Sequence, residues 1–404
     1  MTQYQKDILF MESLVNIPKK NYLLKIRDRS IFVERLRKFL SLVGSPEKKL
    51  KFIHIAGTSG KGTTTKLLEH MISDAGLKTG SFTSPFATTS IEKISINHRL
   101  ISPKSLHEIL KNKIKPALDK YLLEFSEDQI SYFECFLVIA LLYFVEQKCD
   151  WVIIETGMGG EHDASNVIVN PKVTAITNIA MDHIETLGPK KSDIAKNKAG
   201  IIKRNSLFLT TEKDKKLLKI FKNKCKKEKA WFINLENLTD KYQASEYFAT
   251  RGQKNNLNLV LNILDILKIK PKNSQKVINN FHLICRQETI QKNPRVILDG
   301  SHNPAKLGNL IEFLKQQKFK KLHLIIGFAH NKSYRAPLKK LLSLSNEVYL
   351  TRFLVSQRKS ANLRDLHKLT KKIRPDITIN MYIDPYKALA SALKKANKND
   401  LILI

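Results

Sequence analysis

The stretch Phe52-Ile53-His54-Ile55-Ala56-Gly57-Thr58-Ser59-Gly60-Lys61-Gly62-Thr63-Thr64 decides the fold. An apolar run over 51–57 (KFIHIAG) predicts a buried strand. The glycine-rich turn that ends it leads into TKLLEHMISDAG, which reads as a helix. Strand, glycine-rich turn and helix form the setting that a phosphate-binding loop needs. Glycines let successive backbone N–H groups face phosphate oxygens, and the helix N-terminus adds a partial positive charge. Lys61 is then placed for the β- and γ-phosphates, and Thr63 or Thr64 for a metal ion. The spacing departs from G-x-x-x-x-G-K-[ST]. Only two residues separate Gly57 from the Gly60-Lys61 pair, and Gly62 follows the lysine.

Outward from this loop, apolar runs alternate with helical patterns. Strands are predicted at 78–83, 150–156, 172–179, 206–211 and 230–235. A second series follows at 295–300, 322–328, 347–353, 377–383 and 400–404. Most are continuous runs rather than alternating ones, as expected for strands buried on both faces of a parallel sheet with helical crossovers. The expected class is α/β. The polar stretch 285–294 (CRQETIQKNP) separates the two series, so the domain boundary is placed there, with domains at 1–286 and 287–404.

Composition narrows the function classes. The 404 residues hold 42% hydrophobic side chains, enough for sizeable cores, and 70 Lys+Arg against 37 Asp+Glu, a net charge of +33. Of the basic residues 56 are Lys and 14 Arg. Base and phosphate readers favour the planar fork of Arg, so the excess reads as a solvated lysine surface and no nucleic-acid partner is expected. The segment 213–229 carries nine lysines, with Leu217, Leu218, Phe221 and Cys225 at helical spacing, which predicts one amphipathic helix. Cys135, Cys149, Cys225 and Cys285 have neither metal-ligand nor redox spacing. The N-terminus lacks a signal-peptide pattern, and the apolar run 135–145 is too short to span a bilayer. No membrane partner and a cytoplasmic location are expected.

Three further segments carry candidate chemistry. Glu155 ends the apolar strand WVIIE, as the acid that serves a phosphate-bound metal would. Gly157-Met158-Gly159-Gly160 follows it, without the pattern of a dinucleotide fold. Asp182-His183 lies past the third strand, where parallel sheets gather their sites. Lys198 is open between a surface role and a site role on chemistry alone.

Together these segments resemble the Mur ligase superfamily and, within it, the folylpolyglutamate synthase/dihydrofolate synthase family. Its phosphate loop, G-T-x-G-K-G-[ST], is met at each defined position of Gly57–Thr63. Its T-S-P segment is Thr83-Ser84-Pro85. Its acidic-glycine segment with a later D-x-x-N is Glu155, Gly157, Gly159, Gly160, Asp163 and Asn166. Asp182-His183 and Lys198–Lys203 match the next motifs, Gln253 and Asn256 a Q-x-x-N pair, and Arg286 and Glu288 most of G-R-x-E. Asp299-Gly300-Ser301-His302-Asn303-Pro304 is close to D-G-A-H-N-P.

The resemblance implies a phosphate-loop ATPase domain with a parallel-rich sheet and a smaller, Rossmann-like C-terminal α/β domain. It implies that Gly57, Thr58, Ser59, Gly60, Lys61, Gly62, Thr63 and Thr64 cradle ATP, that Ser84, Glu155 and His183 hold Mg²⁺, and that Lys198 is carbamylated. Lys61, Glu155, His183 and Lys198 are the expected catalytic set. Asn256 would contact adenine, and Arg286, Asp299 and His302 the nucleotide from the second domain. Thr83, Pro85, Glu134 (with Phe133), Gly159, Gly160 and Asp163 would lie on the substrate side. K⁺ or another monovalent cation is a further expectation, as is a monomeric state.

The implied reaction activates a carboxylate. ATP phosphorylates the carboxyl group of dihydropteroate or a reduced folate, and the amine of L-glutamate attacks the acyl phosphate to give an amide, ADP and phosphate. Domain closure would keep water from the acyl phosphate. Two other readings share parts of the pattern. A Mur-type ligase for a cell-wall precursor would be expected to carry a UDP-binding domain before the loop, which here begins by residue 57. A basic phosphate-loop protein that binds nucleic acid would need an Arg- and aromatic-rich surface. The departures are Glu161 where the family has Arg, Ser90-Ile91-Glu92-Lys93-Ile94 for F-N-E-R-I, Gly252 for His, and Asn331-Lys332-Ser333 for D-K-D. The chain also ends at Ile404, where the family continues with a T-G-S segment.

Overall fold

The computed structural model describes residues 1–14, 30–125, 129–235, 242–330, 335–353 and 359–404. The Asn331-Lys332-Ser333 departure lies outside the described residues. The chain divides into two units, Met1–Ser245 with Gly252–Asn280, and Glu246–Arg251 with Phe281–Ile404.

The first unit is built on an eight-stranded sheet: β1 (Phe52–Ala56), β2 (Thr79–Phe82), β3 (Ile94–Ile96), β4 (Arg99–Leu100), β5 (Trp151–Glu155), β6 (Val173–Ile176), β7 (Leu207–Thr210) and β8 (Trp231–Asn234). Their order is β4-β3-β2-β5-β1-β6-β7-β8. β2 pairs with β3, and β3 with β4, antiparallel; the other pairings are parallel. β1 is fully buried at the centre, which is why it reads as an unbroken apolar run. The chain goes from β1 to β2 and β5 on one side and then to β6 on the other. The loops after β1, β5 and β6 therefore meet at one point beyond the carboxyl ends of the strands, where such sheets bind ligands.

Helices cover both faces. Tyr132–Glu146 is apolar almost all round and packs with Ile31–Leu42 over Phe52, Val152 and Ile154. On the other face, Lys191–Ala199 and Lys215–Glu228 pack on Ile176 and Phe208. Lys215–Glu228 buries Leu217, Phe221 and Cys225 and turns lysines outward, as its spacing predicts.

The second unit holds β9 (Glu288–Lys292), β10 (Arg295–Leu298), β11 (Leu322–Ile326), β12 (Glu347–Leu350), β13 (Thr378–Met381) and β14 (Leu401–Leu403). The order is β13-β12-β11-β14-β10-β9, parallel except for β9. The fold is the expected α/β class, and all predicted strands form, each trimmed at one or both ends. One strand is not among the expected ones: within the polar stretch 285–294, residues 288–292 form the edge strand β9. Four of its five residues are exposed, so it needs no apolar pattern. Cys135 and Cys225 are buried, and none of the four cysteines forms a disulfide. Among the described residues no helix is long and apolar enough to cross a membrane.

Candidate active site

The loop after β1 is a scaffolded turn. Gly57 has φ +149 and Gly60 φ +84, both in the region that favours glycine. A Cβ at Gly57 would overlap Thr177 Oγ1, and one at Gly60 would overlap the Asn256 side-chain amide. The residues after β6 hold the loop from the other side. Thr58 N–H donates to Asn178 O at 3.0 Å, and Ser59 N–H to Asn178 Oδ1 at 3.0 Å. Asn178 Nδ2 donates to Ser59 Oγ at 2.8 Å, and Thr177 Oγ1 to Ser59 O at 2.6 Å. Thr58 Oγ1 donates to Ala180 O at 3.1 Å. Thr177 and Asn178 scaffold the loop and are not among the residues expected from the sequence. Their one sequence signal was position, at the end of a strand beside the glycine-rich turn.

Gly60 caps the helix Lys61–Asp74, so this helix begins at the loop with its N–H groups facing it. Two lysines converge on one carbonyl there. Lys61 Nζ donates to Gly57 O at 3.3 Å and Lys198 Nζ donates to the same atom at 2.9 Å. Lys61 also lies 3.7 Å from Glu155 Oε1. Glu155 is buried at the end of β5, and its Oε2 accepts from the Ser84 N–H at 3.2 Å. A Cβ on Gly62 would sit 3.4 Å from the same oxygen. The structure thus brings together Gly57–Gly62, Ser84, Glu155, Lys198 and Asn256 from five segments of the chain.

The acidic-glycine loop is wired by Asp163. Its Oδ2 accepts from Met158 N–H at 2.7 Å, and its Oδ1 from Ser165 N–H at 3.0 Å and Ser165 Oγ at 2.5 Å. Gly160 lies against the backbone of Asn197 and Lys198, where a Cβ would come within 2.7 Å of Lys198 O, and Gly159 has φ +74. Glu161, the departure from Arg, donates its N–H to Asn197 O at 2.8 Å while its side chain is 55% exposed. The substitution therefore falls on an outward side chain. His183 has φ +49, is partly exposed, and has Asp182 Oδ2 3.8 Å from its Nε2. Thr83 N–H donates to Lys93 O at 3.0 Å, and the Ser84–Pro85 peptide is cis. Glu134 is engaged inside the protein. Arg35 grips it with Nη2 at 2.9 Å from Oε1 and 2.8 Å from Oε2, and the Ser131 N–H donates to it at 2.7 Å. The ring of Phe133 instead abuts Gly157.

In the second unit Arg286, just before β9, meets Asp299 and His302, in the loop after β10. Asp299 accepts from the N–H groups of Gln287 and Ser301 at 3.0 and 2.8 Å. Arg286 Nη1 lies against Gly300, and His302 Nδ1 is 2.9 Å from Gly300 O.

Burial dominates the electrostatics. It lowers the Lys198 amine to about 7, aided by the positive charge of Lys61 and opposed by Asp182 and Asp163. An unfolded lysine keeps its proton up to about 10.4. Between about 7 and that value the unfolded chain binds the extra proton, so stability rises with pH across this window and the contribution saturates above it. In CO₂-depleted buffer, thermal melts from pH 7 to 9.5 are expected to show this rise in the wild type. The rise should be smaller in Lys198→Met, and identical slopes would refute the buried amine.

Whether a divalent ion fits can be judged from the donors. Among the described residues no three His, Cys, Asp or Glu side chains form a preformed metal cluster. Mg²⁺ needs none when it is held by one or two carboxylates, water and substrate phosphates. Glu155 supplies a buried carboxylate beside the phosphate loop. The buried Thr64 Oγ1 has no hydrogen-bond partner among the described residues. The buried Glu155 carboxylate, a hard-oxygen donor beside the loop, fits such an ion.

Residues 55–273 match the Mur ligase middle domain and residues 285–404 the Mur ligase glutamate ligase domain. The chain belongs to the Mur ligase family. It is 29% identical over 400 residues to the dihydrofolate synthase/folylpolyglutamate synthase of Bacillus subtilis, covering 92% of this chain and 91% of the relative. It is similar in fold to Mycobacterium tuberculosis folylpolyglutamate synthase complexed with ADP, with 21% identity, TM-score 0.86 and coverage of 99% and 95% of the two chains. A bifunctional folylpolyglutamate synthase/dihydrofolate synthase solved with Mn, AMPPNP and L-glutamate shares the fold at 21% identity and TM-score 0.82, over 100% and 95%. In this Mur ligase, the loop Gly57–Thr64 and the motifs that meet it all fall inside the middle-domain match.

Proposed function

We propose that this chain is an ATP-dependent amide ligase of folate metabolism that joins L-glutamate to the carboxylate of dihydropteroate, of a reduced folate, or of both. The observation that carries the reading is the convergence of Lys61, Lys198 and Glu155 on the glycine loop. The Lys61 ammonium, the buried Lys198 amine and one buried carboxylate there are the kinds of group that phosphoryl transfer to a carboxylate uses.

The loop N–H groups and Lys61 bind the phosphates of ATP, and Asn256, packed on Gly60, reads the adenine. Arg286, Asp299 and His302 are assigned to the nucleotide as well. Glu155, with Ser84 and His183, would hold Mg²⁺, which when bound supplies charge neutralisation on the transferring phosphoryl group. K⁺ is proposed as a second, monovalent ion. Thr83, Pro85, Gly159, Gly160 and Asp163 line the acceptor side. Burial leaves a large share of the Lys198 amine uncharged near neutral pH. That free amine can attack CO₂ and lose a proton, giving a carbamate that turns a cation into a carboxylate-like ligand. We place the enzyme in the cytoplasm as a monomer.

The test incubates the purified protein with ATP, Mg²⁺ and L-glutamate, with dihydropteroate and tetrahydrofolate in separate reactions, and looks for the glutamylated product by mass spectrometry. A glutamylated product from at least one pterin is expected, and the pair of reactions shows whether one activity or two are present. ATP consumption with no glutamylated pterin in either reaction would overturn the reading.

A further inference from the structure

Lys93 is buried, and none of the roles above uses its side chain. Its Nζ donates to Tyr132 Oη at 2.8 Å. The same nitrogen lies 4.1 Å from the ring centroid of Phe86, 4.6 Å from that of Tyr132 and 4.3 Å from that of Phe136. The Tyr132 hydroxyl is shared with Ser90 Oγ at 2.9 Å. Burial lowers the amine to about 7, against the pull of Glu12 and Glu92, so it is only partly charged at neutral pH. A methionine would fill this aromatic box at lower desolvation cost, so an amine here calls for a reason beyond packing.

The surroundings supply one. The Lys93 main chain holds the T-S-P segment, since its carbonyl accepts from Thr83 N–H at 3.0 Å. The next residue back, Glu92, gathers the N–H groups of Ala87, Thr88 and Thr89, each at 2.8 Å, so the loop is wrapped on one carboxylate. Tyr4 Oη meets Thr89 Oγ1 at 2.6 Å and ties the loop to the N-terminal helix. On the other side, Tyr132 starts the helix whose next residue, Phe133, presses its ring on Gly157 and lies 5.5 Å from Phe82. A Cβ on Gly157 would also stand 3.1 Å from Asp163 Oδ2. Lys93, together with Ser90 through the shared Tyr132 hydroxyl, therefore fastens the loop after Ser84 to the helix start whose Phe133 faces the Asp163 loop. Phe86, 38% exposed, is the open ring of the box.

We propose that Lys93 is a positioning residue for the pterin substrate. It clasps the Ser84–Glu92 loop to the start of the helix Tyr132–Glu146 and so holds in place Phe86 and Phe133, the two rings we assign to a flat, polar bicyclic ring of the substrate. The proposal rests on the folate-ligase reading above. Aromatic faces held rigidly lose less entropy on binding a flat ring than mobile ones, so releasing the clasp weakens substrate binding more than it slows chemistry.

The test is steady-state kinetics on the full chain, with ATP, L-glutamate and the pterin varied in turn. Lys93→Met is expected to raise the KM for the pterin about tenfold and to leave the KM for ATP unchanged, with Lys93→Arg restoring most of the loss. Tyr132→Phe removes only the shared hydroxyl and should move the pterin KM in the same direction, which keeps the test decisive where Lys93→Met folds poorly. An unchanged pterin KM in Tyr132→Phe and in folded Lys93→Met would overturn the clasp. Equal rises in the ATP and pterin KM with a lowered Tm would do the same, since they mark a merely structural role. Wild-type protein that turns over ATP without regard to either pterin would instead overturn the ligase reading beneath it.

Discussion

Lys61→Ala is expected to lower glutamate-dependent ATP turnover about 10³-fold with the fold preserved, the scale seen when one preorganised donor to a developing charge is removed. Lys61 is the first residue of its helix, and its Nζ is held 3.3 Å from Gly57 O and 3.7 Å from Glu155 Oε1. Truncation removes the ammonium at the phosphate loop but little packing. It leaves Glu155 buried with one cation fewer, so part of the loss reflects a carboxylate turned from partner into repulsion for phosphate. A second effect follows from the shared carbonyl. The positive charge of Lys61 helps to lower the Lys198 amine, so in Lys61→Ala the Lys198 amine should titrate at higher pH. Phosphate release and a melt on the same sample check the first effect, and the pH dependence of stability checks the second. Turnover equal to the wild type would contradict the role of the loop.

Glu155→Gln is expected to cost about 10²–10³-fold in turnover and to abolish the response to Mg²⁺. The amide is isosteric, and its oxygen can still accept from the Ser84 N–H that now donates to Oε2 at 3.2 Å. What it lacks is the negative charge that a hard divalent ion requires. A Mg²⁺ titration of turnover, with circular dichroism to confirm the fold, separates lost metal binding from lost structure. A variant with the wild-type dependence on Mg²⁺ would contradict the metal role of Glu155.

The parts of this protein legible in its sequence share a physical cause. Central strands such as β1 and β5 are buried on both faces, so their apolar runs announce them; β9 is exposed at the sheet edge and carries no such pattern. The glycines of the phosphate loop are legible because a positive φ or a close approach excludes side chains. Lys198 was open on chemistry alone, since its meaning depends on a contact with Gly57 across 141 residues of chain. Glu134 is expected on the substrate side from the resemblance alone, and its bidentate partner Arg35, 99 residues away, is not legible from the local sequence. Thr177 and Asn178 scaffold the loop through turn geometry that no local pattern encodes. The +33 charge was legible at once and remains the least explained feature. The site accounts for two lysines, and the helix Lys215–Glu228 shows where many others go, onto solvent-facing surface.

The central claim is that the pterin carboxylate, rather than glutamate or water, takes the phosphoryl group. Single-turnover reactions with a pterin whose carboxylate carries ¹⁸O test it directly. Attack of that carboxylate on ATP places a labelled oxygen between carbon and phosphorus, and attack of the glutamate amine then releases that oxygen with phosphate. The account predicts inorganic phosphate carrying one ¹⁸O per amide formed, whereas unlabelled phosphate released alongside a glutamylated product would contradict it.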